Sequence, residues 1–280
     1  TQYTMTTIEE LGLLKMDFLG LRNLTVIEDA EREIKKLHPD FDIDKVPDDD
    51  PETFKMLGEG KTQGVFQLES TGMTGVCVNM KPSSIEDMTA IVALYRPGPM
   101  DSIPKFIENK LNHKKVTYKC PQLEPILKVT YGCIVYQEQV MQICRELAGY
   151  SLGAADMVRR AVAKKQADVL EQQRKFFLYG SDGTDGGSKC DGCIKRGITA
   201  EAANAIFDDM ASFASYAFNK SHSAAYAYVT YQTAWLRCYY PQEFMAAMLT
   251  SVLDNTDKVV GYITECQTNL GFKVLPPSVN

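Results

Sequence analysis

Residues 220–241 read Lys-Ser-His-Ser-Ala-Ala-Tyr-Ala-Tyr-Val-Thr-Tyr-Gln-Thr-Ala-Trp-Leu-Arg-Cys-Tyr-Tyr-Pro, and this stretch decides the helical character of the second half of the chain. Its aromatic residues recur near one stripe, which predicts a long helix that ends before Pro241. Proline suits the first turn of a helix, so Pro241 also predicts a further helix through residues 244–253. The stripe, which favours core packing over a ligand site, consists of Tyr228, Tyr231 and Trp235.

Helical periodicity extends outward from this stretch, with apolar residues recurring every three or four positions. The segments that show it are 24–37, 135–149, 154–178, 199–217 and 256–271. Gly149 predicts the end of one of these helices, and Thr199 predicts the N-terminal cap of another. Residues 11–21 differ, because apolar and polar residues alternate there and predict a β-strand. We therefore predict an α+β fold that is predominantly helical, with a small mixed sheet at the N-terminal end.

The chain divides into two predicted domains. Residues 1–40 contain the strand and one helix, and residues 41–280 form the multi-helix domain. The boundary lies near residues 39–51, because their Asp- and Pro-containing sequence suits a linker. Within the second domain, Gly-Ser-Asp-Gly-Thr-Asp-Gly-Gly opens the tract at about 180–197, which we predict to be a flexible surface insertion that buries no core.

Bulk composition limits the classes of protein. The sequence has no apolar run long enough to span a bilayer and no signal-peptide pattern, which predicts a cytoplasmic protein without a membrane partner. The net charge of −6 argues against a protein that only coats DNA, although local basic patches matter more than the sum. Because the sequence begins at Thr1 and stops at a Pro-Pro-Ser-Val-Asn end, we expect a piece of a longer protein.

Eight scattered cysteines predict reduced thiols in place of a disulfide framework. Only Cys190 and Cys193 lie close together in sequence, and a closed zinc site needs a second pair of ligands. We therefore expect no metal site at these two cysteines.

Two stretches carry charged residues that suit metal and phosphate chemistry. On the predicted strand, Asp17 could hold a divalent metal and Lys15 could meet a phosphate, or the two could form a solvated ion pair. Four further cations follow a predicted helix start and could grip the phosphates of one triphosphate, or form a solvated helix face. They are Arg159, Arg160, Lys164 and Lys165. Adjacent arginines on a helix should point about 100° apart.

The start of the long helix is a third candidate site. Residues 218–226 combine a cation, a hydroxyl, a histidine and small residues, where a ring could stack on a base or pack against a sugar. A helix cap with buried tyrosines behind it would look similar. Elsewhere, the turn at Arg96 presents one guanidinium to a phosphate or to a core carboxylate. Gln67 and Glu69 are equally ambiguous.

Taken in order, these motifs resemble the alpha subunit of bacterial DNA polymerase III over nearly the whole chain. The residues that carry the resemblance are Leu-Leu-Lys-Met-Asp-Phe-Leu-Gly-Leu at 13–21, Gly-Val-Phe-Gln-Leu-Glu-Ser at 64–70, Ala-Leu-Tyr-Arg-Pro-Gly-Pro-Met at 93–100, Arg-Arg-Ala-Val-Ala-Lys-Lys at 159–165 and Phe-Asn-Lys-Ser-His-Ser-Ala-Ala-Tyr-Ala at 218–227. The resemblance implies that the first domain is the end of the palm and the second is the fingers of a DNA-directed DNA polymerase. Alone, such a piece should be inactive.

The resemblance also implies residue roles. Asp17 matches the third of three carboxylates that bind two Mg²⁺ ions for nucleotidyl transfer, and the first two would precede Thr1. Lys15, Arg159 and Arg160 match residues at the incoming triphosphate, and His222 matches a residue that excludes a 2′-hydroxyl. Further nucleotide-site candidates are Ser221, Tyr226 and Tyr216. Nucleic-acid contacts are expected at Arg96, Lys164, Lys165 and Lys220.

The implied partners are primer-template DNA, deoxynucleoside triphosphates and other replicase subunits, including the sliding clamp, mostly through regions outside this sequence. Two other functions stay open. The chain could be a non-enzymatic helical module that binds nucleic acid, or a helical protein-interaction scaffold in which the motifs pack the core.

Overall fold

The structure, a computed structural model, describes residues 2–14, 16, 18, 20–163, 167–184, 187–213, 217–276 and 278. Of these residues 64% are helical, so the predicted predominance of helix is confirmed. None of the described helices is both long and apolar enough to cross a membrane. The described α-helices are α1 (Met5–Glu10), α2 (Arg22–Lys35), α3 (Pro51–Gly58), α4 (Thr71–Met80), α5 (Ile85–Leu94), α6 (Ile103–Leu111), α7 (Glu124–Leu127), α8 (Gln137–Ala148), α9 (Leu152–Ala163), α10 (Ala167–Tyr179), α11 (Ala200–Phe213), α12 (Lys220–Tyr239), α13 (Pro241–Ser251) and α14 (Thr256–Thr268).

Buried apolar side chains form three clusters, and α12 contributes to two of them. Helices α2, α13 and α14 build the first cluster, which Leu236 of α12 joins. Helices α3 to α6 build the second, around Tyr231 of α12. Helices α7 to α11 build the third. Because α12 is shared, its position fixes the relation between the first two clusters.

Several local predictions about helix ends are confirmed. Gly149 ends α8 with φ +77°, a left-handed conformation that glycine adopts without steric cost. The hydroxyl of Thr199 accepts a hydrogen bond from the Ala202 N–H at 3.2 Å, and Pro241 is the first residue of α13. The core prediction for the aromatic stripe is confirmed at Tyr231, which is buried, whereas Tyr228 is 47% exposed.

The predicted N-terminal sheet is not supported, because the described residues contain no strand and only two isolated β-bridges. The helical part of the predicted α+β class is therefore confirmed and its β part is not supported by the described residues, which leave out positions 15, 17 and 19 of the predicted strand. The described apolar residues of the predicted strand are largely exposed: Leu14, Met16 and Phe18. A strand needs a neighbour to satisfy its backbone hydrogen bonds, and the described residues provide none.

The tract at 180–197 is partly built into the core. Cys193 is fully buried and Cys190 nearly so, and both pack in the cluster of α7 to α11. Ser181 and Cys190 exchange backbone N–H···O hydrogen bonds of 3.0 and 2.9 Å. The expectation that this tract buries no core was therefore wrong for its second half.

Gly192 provides a test of that packing. A Cβ there would lie 2.2 Å from the Gly180 nitrogen, at a residue with φ +80°. We expect Gly192→Ala to destabilise the chain by about 1–3 kcal/mol more than Gly197→Ala, measured by urea unfolding. Gly197 is the matched control, because its φ is +82° but nothing lies within 4 Å of its Cβ position. Equal losses in the two variants would contradict this packing.

Candidate functional site

A series of stacked side chains lies at the start of α12. The rings of Phe218, His222 and Tyr226 follow one another at four-residue spacing, with centroid distances of 5.4 and 4.2 Å. Phe66 extends the series 5.4 Å beyond Tyr226. At the other end, the Arg96 guanidinium carbon lies 3.3 Å from the centroid of Phe218. We call these five residues the α12 stack.

The α12 stack joins residues that the sequence left separate. His222 and Tyr226 were predicted together, and Arg96 was predicted at a distant turn. The guanidinium rests on a ring, a cation–π contact. Burial lowers the pKa of Arg96, although a guanidinium remains charged at neutral pH. Its charge therefore lies at one end of an aromatic series whose His222 is exposed.

Sequence reasoning included Phe218 in the third candidate site without giving it a role of its own, and it missed Phe66. The four-residue spacing from Phe218 to His222 and from His222 to Tyr226 was the signal for the role of Phe218 in the stack. Phe66 had no such signal, because it comes from a loop that is remote in sequence from α12. Ser221 and Lys220 lie on the first turn of α12 and are exposed. The Lys220 ammonium is 5.6 Å from the Tyr136 ring centroid.

The segment before α8 holds the base of the α12 stack. The Phe218 N–H donates to the Val135 carbonyl at 3.2 Å, and the Gln137 N–H donates to the Phe218 carbonyl at 2.9 Å. The Glu138 carboxylate accepts from the Lys220 backbone N–H at 3.0 Å. A carboxylate at a helix N-terminus is electrostatically favourable, so Glu138 stabilises the start of α12.

The two predicted phosphate-binding arginines share a carboxylate on α9. Arg159 donates from Nε and Nη2 to Asp156 Oδ1 at 2.9 and 2.7 Å. Arg160 donates from Nε to Asp156 Oδ2 at 2.8 Å. The hydrogen bonds from Arg159 make the largest contribution to holding the pKa of Asp156 below its usual value, and Arg160 adds to it. The guanidiniums therefore converge on Asp156, whereas helix geometry alone predicted that they diverge.

The position of these arginines corrects one argument from the sequence. They lie about two turns beyond the start of α9, outside the first turn where a helix N-terminus attracts anions. Arg159 is largely covered, with 18% of its side chain exposed, and Arg160 has 69% exposed. Because Arg160 uses only Nε for Asp156, its two terminal nitrogens can meet an anion.

Several predicted site residues lie outside the described residues, and the structure does not place them. They are Lys15, Asp17, Lys164, Lys165 and Tyr216. Among the residues that are described, no group of three or more His, Cys, Asp or Glu side chains is arranged to hold a metal ion. All eight cysteines are free thiols, as predicted.

Comparison with known proteins assigns the family. The sequence model described as the bacterial DNA polymerase III alpha subunit finger domain matches residues 23–184. This chain belongs to the bacterial DNA polymerase III alpha subunit family. It is 48% identical to the DNA polymerase III subunit alpha of Borreliella burgdorferi, over all of this chain and 23% of that protein.

Two further relatives have the same description. The chain is 48% identical to DNA polymerase III subunit alpha of Thermus aquaticus and 47% identical to that of Escherichia coli, in both cases over its whole length. It covers 22% and 24% of those proteins. The chain therefore spans about a quarter of the length of the curated relatives it matches, and the matched finger model confirms the predicted resemblance.

Proposed function

We propose that this chain is the nucleotide-positioning part of a DNA-directed DNA polymerase, in which the fingers hold the incoming deoxynucleoside triphosphate and the template. The observation that carries the proposal is the α12 stack. Base–aromatic stacking contributes about 1–3 kcal/mol per base, and a stacked guanidinium adds attraction for phosphate or for a base face. His222, exposed in the middle of the series, would lie against the sugar, with Ser221 and Tyr226 beside it.

The α9 arginines would meet the triphosphate. A guanidinium offers a planar fork of donors that matches phosphate oxygens, and charge-assisted hydrogen bonds are the strong ones. Asp156 holds both side chains in place before a nucleotide arrives, which lowers the entropy lost on binding. In the reaction these charges would stabilise the negative charge that develops on the phosphates.

The metal and nucleic-acid roles are proposals from the family. Asp17, together with carboxylates from the rest of the enzyme, would hold two Mg²⁺ ions that stabilise the attacking and leaving oxygens. Lys15 would lie beside the triphosphate. The primer-template would be contacted by Arg96, Lys164, Lys165 and Lys220. The parent enzyme would work in the bacterial cytoplasm with other replicase subunits, including the sliding clamp, and the isolated chain would not synthesise DNA.

A variant of His222 tests the proposal in the full-length polymerase. We expect His222→Ala to raise the dissociation constant of the incoming nucleotide about 5- to 100-fold in single-turnover incorporation, because the ring that lies against the sugar and completes the α12 stack is lost. Tyr228→Ala is the matched control: Tyr228 is an exposed aromatic residue of the same helix, outside the α12 stack, and hydrogen-bonded to Asp48.

Two outcomes would contradict the proposal. Equal effects of the His222 and Tyr228 variants would show that the α12 stack has no special role. A His222 variant that weakens only primer-template binding, with a steep dependence on salt, would favour the rival reading as a nucleic-acid-binding module.

A further inference from the structure

The loop at residues 64–70 supplies the last ring of the α12 stack, Phe66, and the exposed residue that follows it, Gln67. Val65 and Leu68 are completely buried. Of the two residues between them, Phe66 is half-buried and contacts Tyr226 in the α12 stack, and Gln67 is exposed. Gln67 follows Phe66 directly in the sequence, so it is the next residue beyond the last ring of the α12 stack.

Gln67 has a strained backbone. Its φ is +62°, in the left-handed region that residues with a Cβ rarely occupy. Such a conformation costs on the order of 1 kcal/mol and persists where the surroundings fix it. A glycine would adopt this backbone at lower cost, so the backbone alone does not call for a glutamine at this position.

The surroundings of the loop hold Gln67 in that conformation. The Gly64 N–H donates to Glu69 Oε1 at 3.0 Å, and the Tyr262 hydroxyl donates to the same oxygen at 2.7 Å. The Phe66 N–H donates to the Thr233 hydroxyl oxygen at 3.0 Å, which ties the loop to α12. The position of Gln67 relative to the α12 stack is thus set by α12 itself.

We propose that Gln67 is a specificity-determining residue whose side-chain amide hydrogen-bonds the edge of the incoming nucleobase. The inference rests on the proposed function, since it requires a nucleobase on the α12 stack. Stacking recognises the face of any base, whereas discrimination requires donors and acceptors at the base edge. Glutamine carries both, and its NH₂ can donate to a purine ring nitrogen, N3 or N7.

Nucleotide analogues test this contact in the full-length polymerase. The substrates are dATP, 3-deaza-dATP and 7-deaza-dATP, each analogue lacking one ring nitrogen that accepts a hydrogen bond. We expect the wild-type enzyme to incorporate one analogue about 3- to 12-fold less efficiently than dATP, the loss of one hydrogen bond. In Gln67→Ala this preference should fall to within about 2-fold, because the donor is already gone.

Two further variants separate the amide from the backbone. Gln67→Gly relieves the strained φ and removes the amide, so it should lose the preference as Gln67→Ala does. Lys81→Ala is the matched control, because Lys81 is an exposed non-glycine residue with φ +50° at the end of α4 and should keep the wild-type preference.

The possible results are distinct from those for the proposed function. Wild-type enzyme that uses both analogues as well as dATP, or a Gln67→Ala enzyme that keeps the full preference, would overturn the role of Gln67. A Gln67→Gly enzyme that keeps the wild-type preference would also overturn the role of Gln67. If His222→Ala still weakened nucleotide binding in that case, the proposed function would stand without this residue.

Discussion

Replacing Arg159 and Arg160 together by alanine in the full-length polymerase should lower single-turnover nucleotide incorporation about 10²- to 10⁴-fold. Each charged hydrogen bond contributes about 1.5–3 kcal/mol, and both arginines would contact the triphosphate. The dissociation constant for primer-template should change little, because the loss lies at the nucleotide. Rapid-quench incorporation and a separate DNA-binding titration measure the two quantities.

Arg174→Ala is the matched control for this loss. Arg174 also lies on a helix of the α7 to α11 cluster and pairs with one carboxylate, Asp208, at 2.6 Å. Arg174 is not predicted to contact the nucleotide. The Arg174→Ala enzyme should therefore incorporate nucleotides at a rate within about 3-fold of wild type, if the loss in the double variant comes from charged hydrogen bonds to the triphosphate. Normal nucleotide incorporation by the double variant of Arg159 and Arg160 would show that neither residue acts on the triphosphate.

The second large effect concerns the buried ion pair that joins α12 to α14. Arg237 is 2% exposed and donates from Nη2 to the Glu265 carboxylate, while its Nε donates to the Lys61 carbonyl at 3.2 Å. Burial lowers the pKa of Arg237, and Glu265 opposes that shift. We expect Glu265→Ala to reduce the free energy of unfolding by about 3–5 kcal/mol, because it leaves a buried charge without its partner.

Urea unfolding of the 280-residue chain, followed by circular dichroism, measures this loss. Glu59→Ala is the control, since Glu59 pairs with Lys61 at the surface, where both side chains are about half exposed. An exposed ion pair contributes about 0–1 kcal/mol, so the control should be nearly neutral. If the two glutamate variants were equally stable, the ion pair of Arg237 would not stabilise the contact between α12 and α14.

The helical part of the fold could be predicted because its signals are local. Apolar periodicity, Gly149, Thr199 and Pro241 each act within a few residues of one helix, and the structure confirms them. The alternating pattern at residues 11–21 predicted a strand, which the described residues do not support. That pattern is also local, but a strand forms only where another strand completes its hydrogen bonds, and the described residues contain none.

In the candidate site, too, the residues with local sequence signals could be predicted and those brought in by tertiary packing could not. His222 and Tyr226 could be predicted from one motif because they lie four residues apart on one helix. Arg96 and Phe66 reach the same place through tertiary packing, which leaves no trace in sequence spacing. The shared carboxylate of Asp156 was missed for a different reason, since the ideal helix angle ignores the long, flexible side chains that bring both arginines to one acceptor.

The central claim is that the α12 stack holds the base and sugar of the incoming nucleotide, and photo-crosslinking tests it most directly. The full-length polymerase, bound to primer-template, would be irradiated with dATP that carries an azido group on its base. We expect an adduct, suppressed by excess unmodified dATP, on one of the tryptic peptides that contain the five residues of the α12 stack, which span residues 62–105, 197–220 and 221–237. Adducts that dATP suppresses, found only in other peptides, would contradict it.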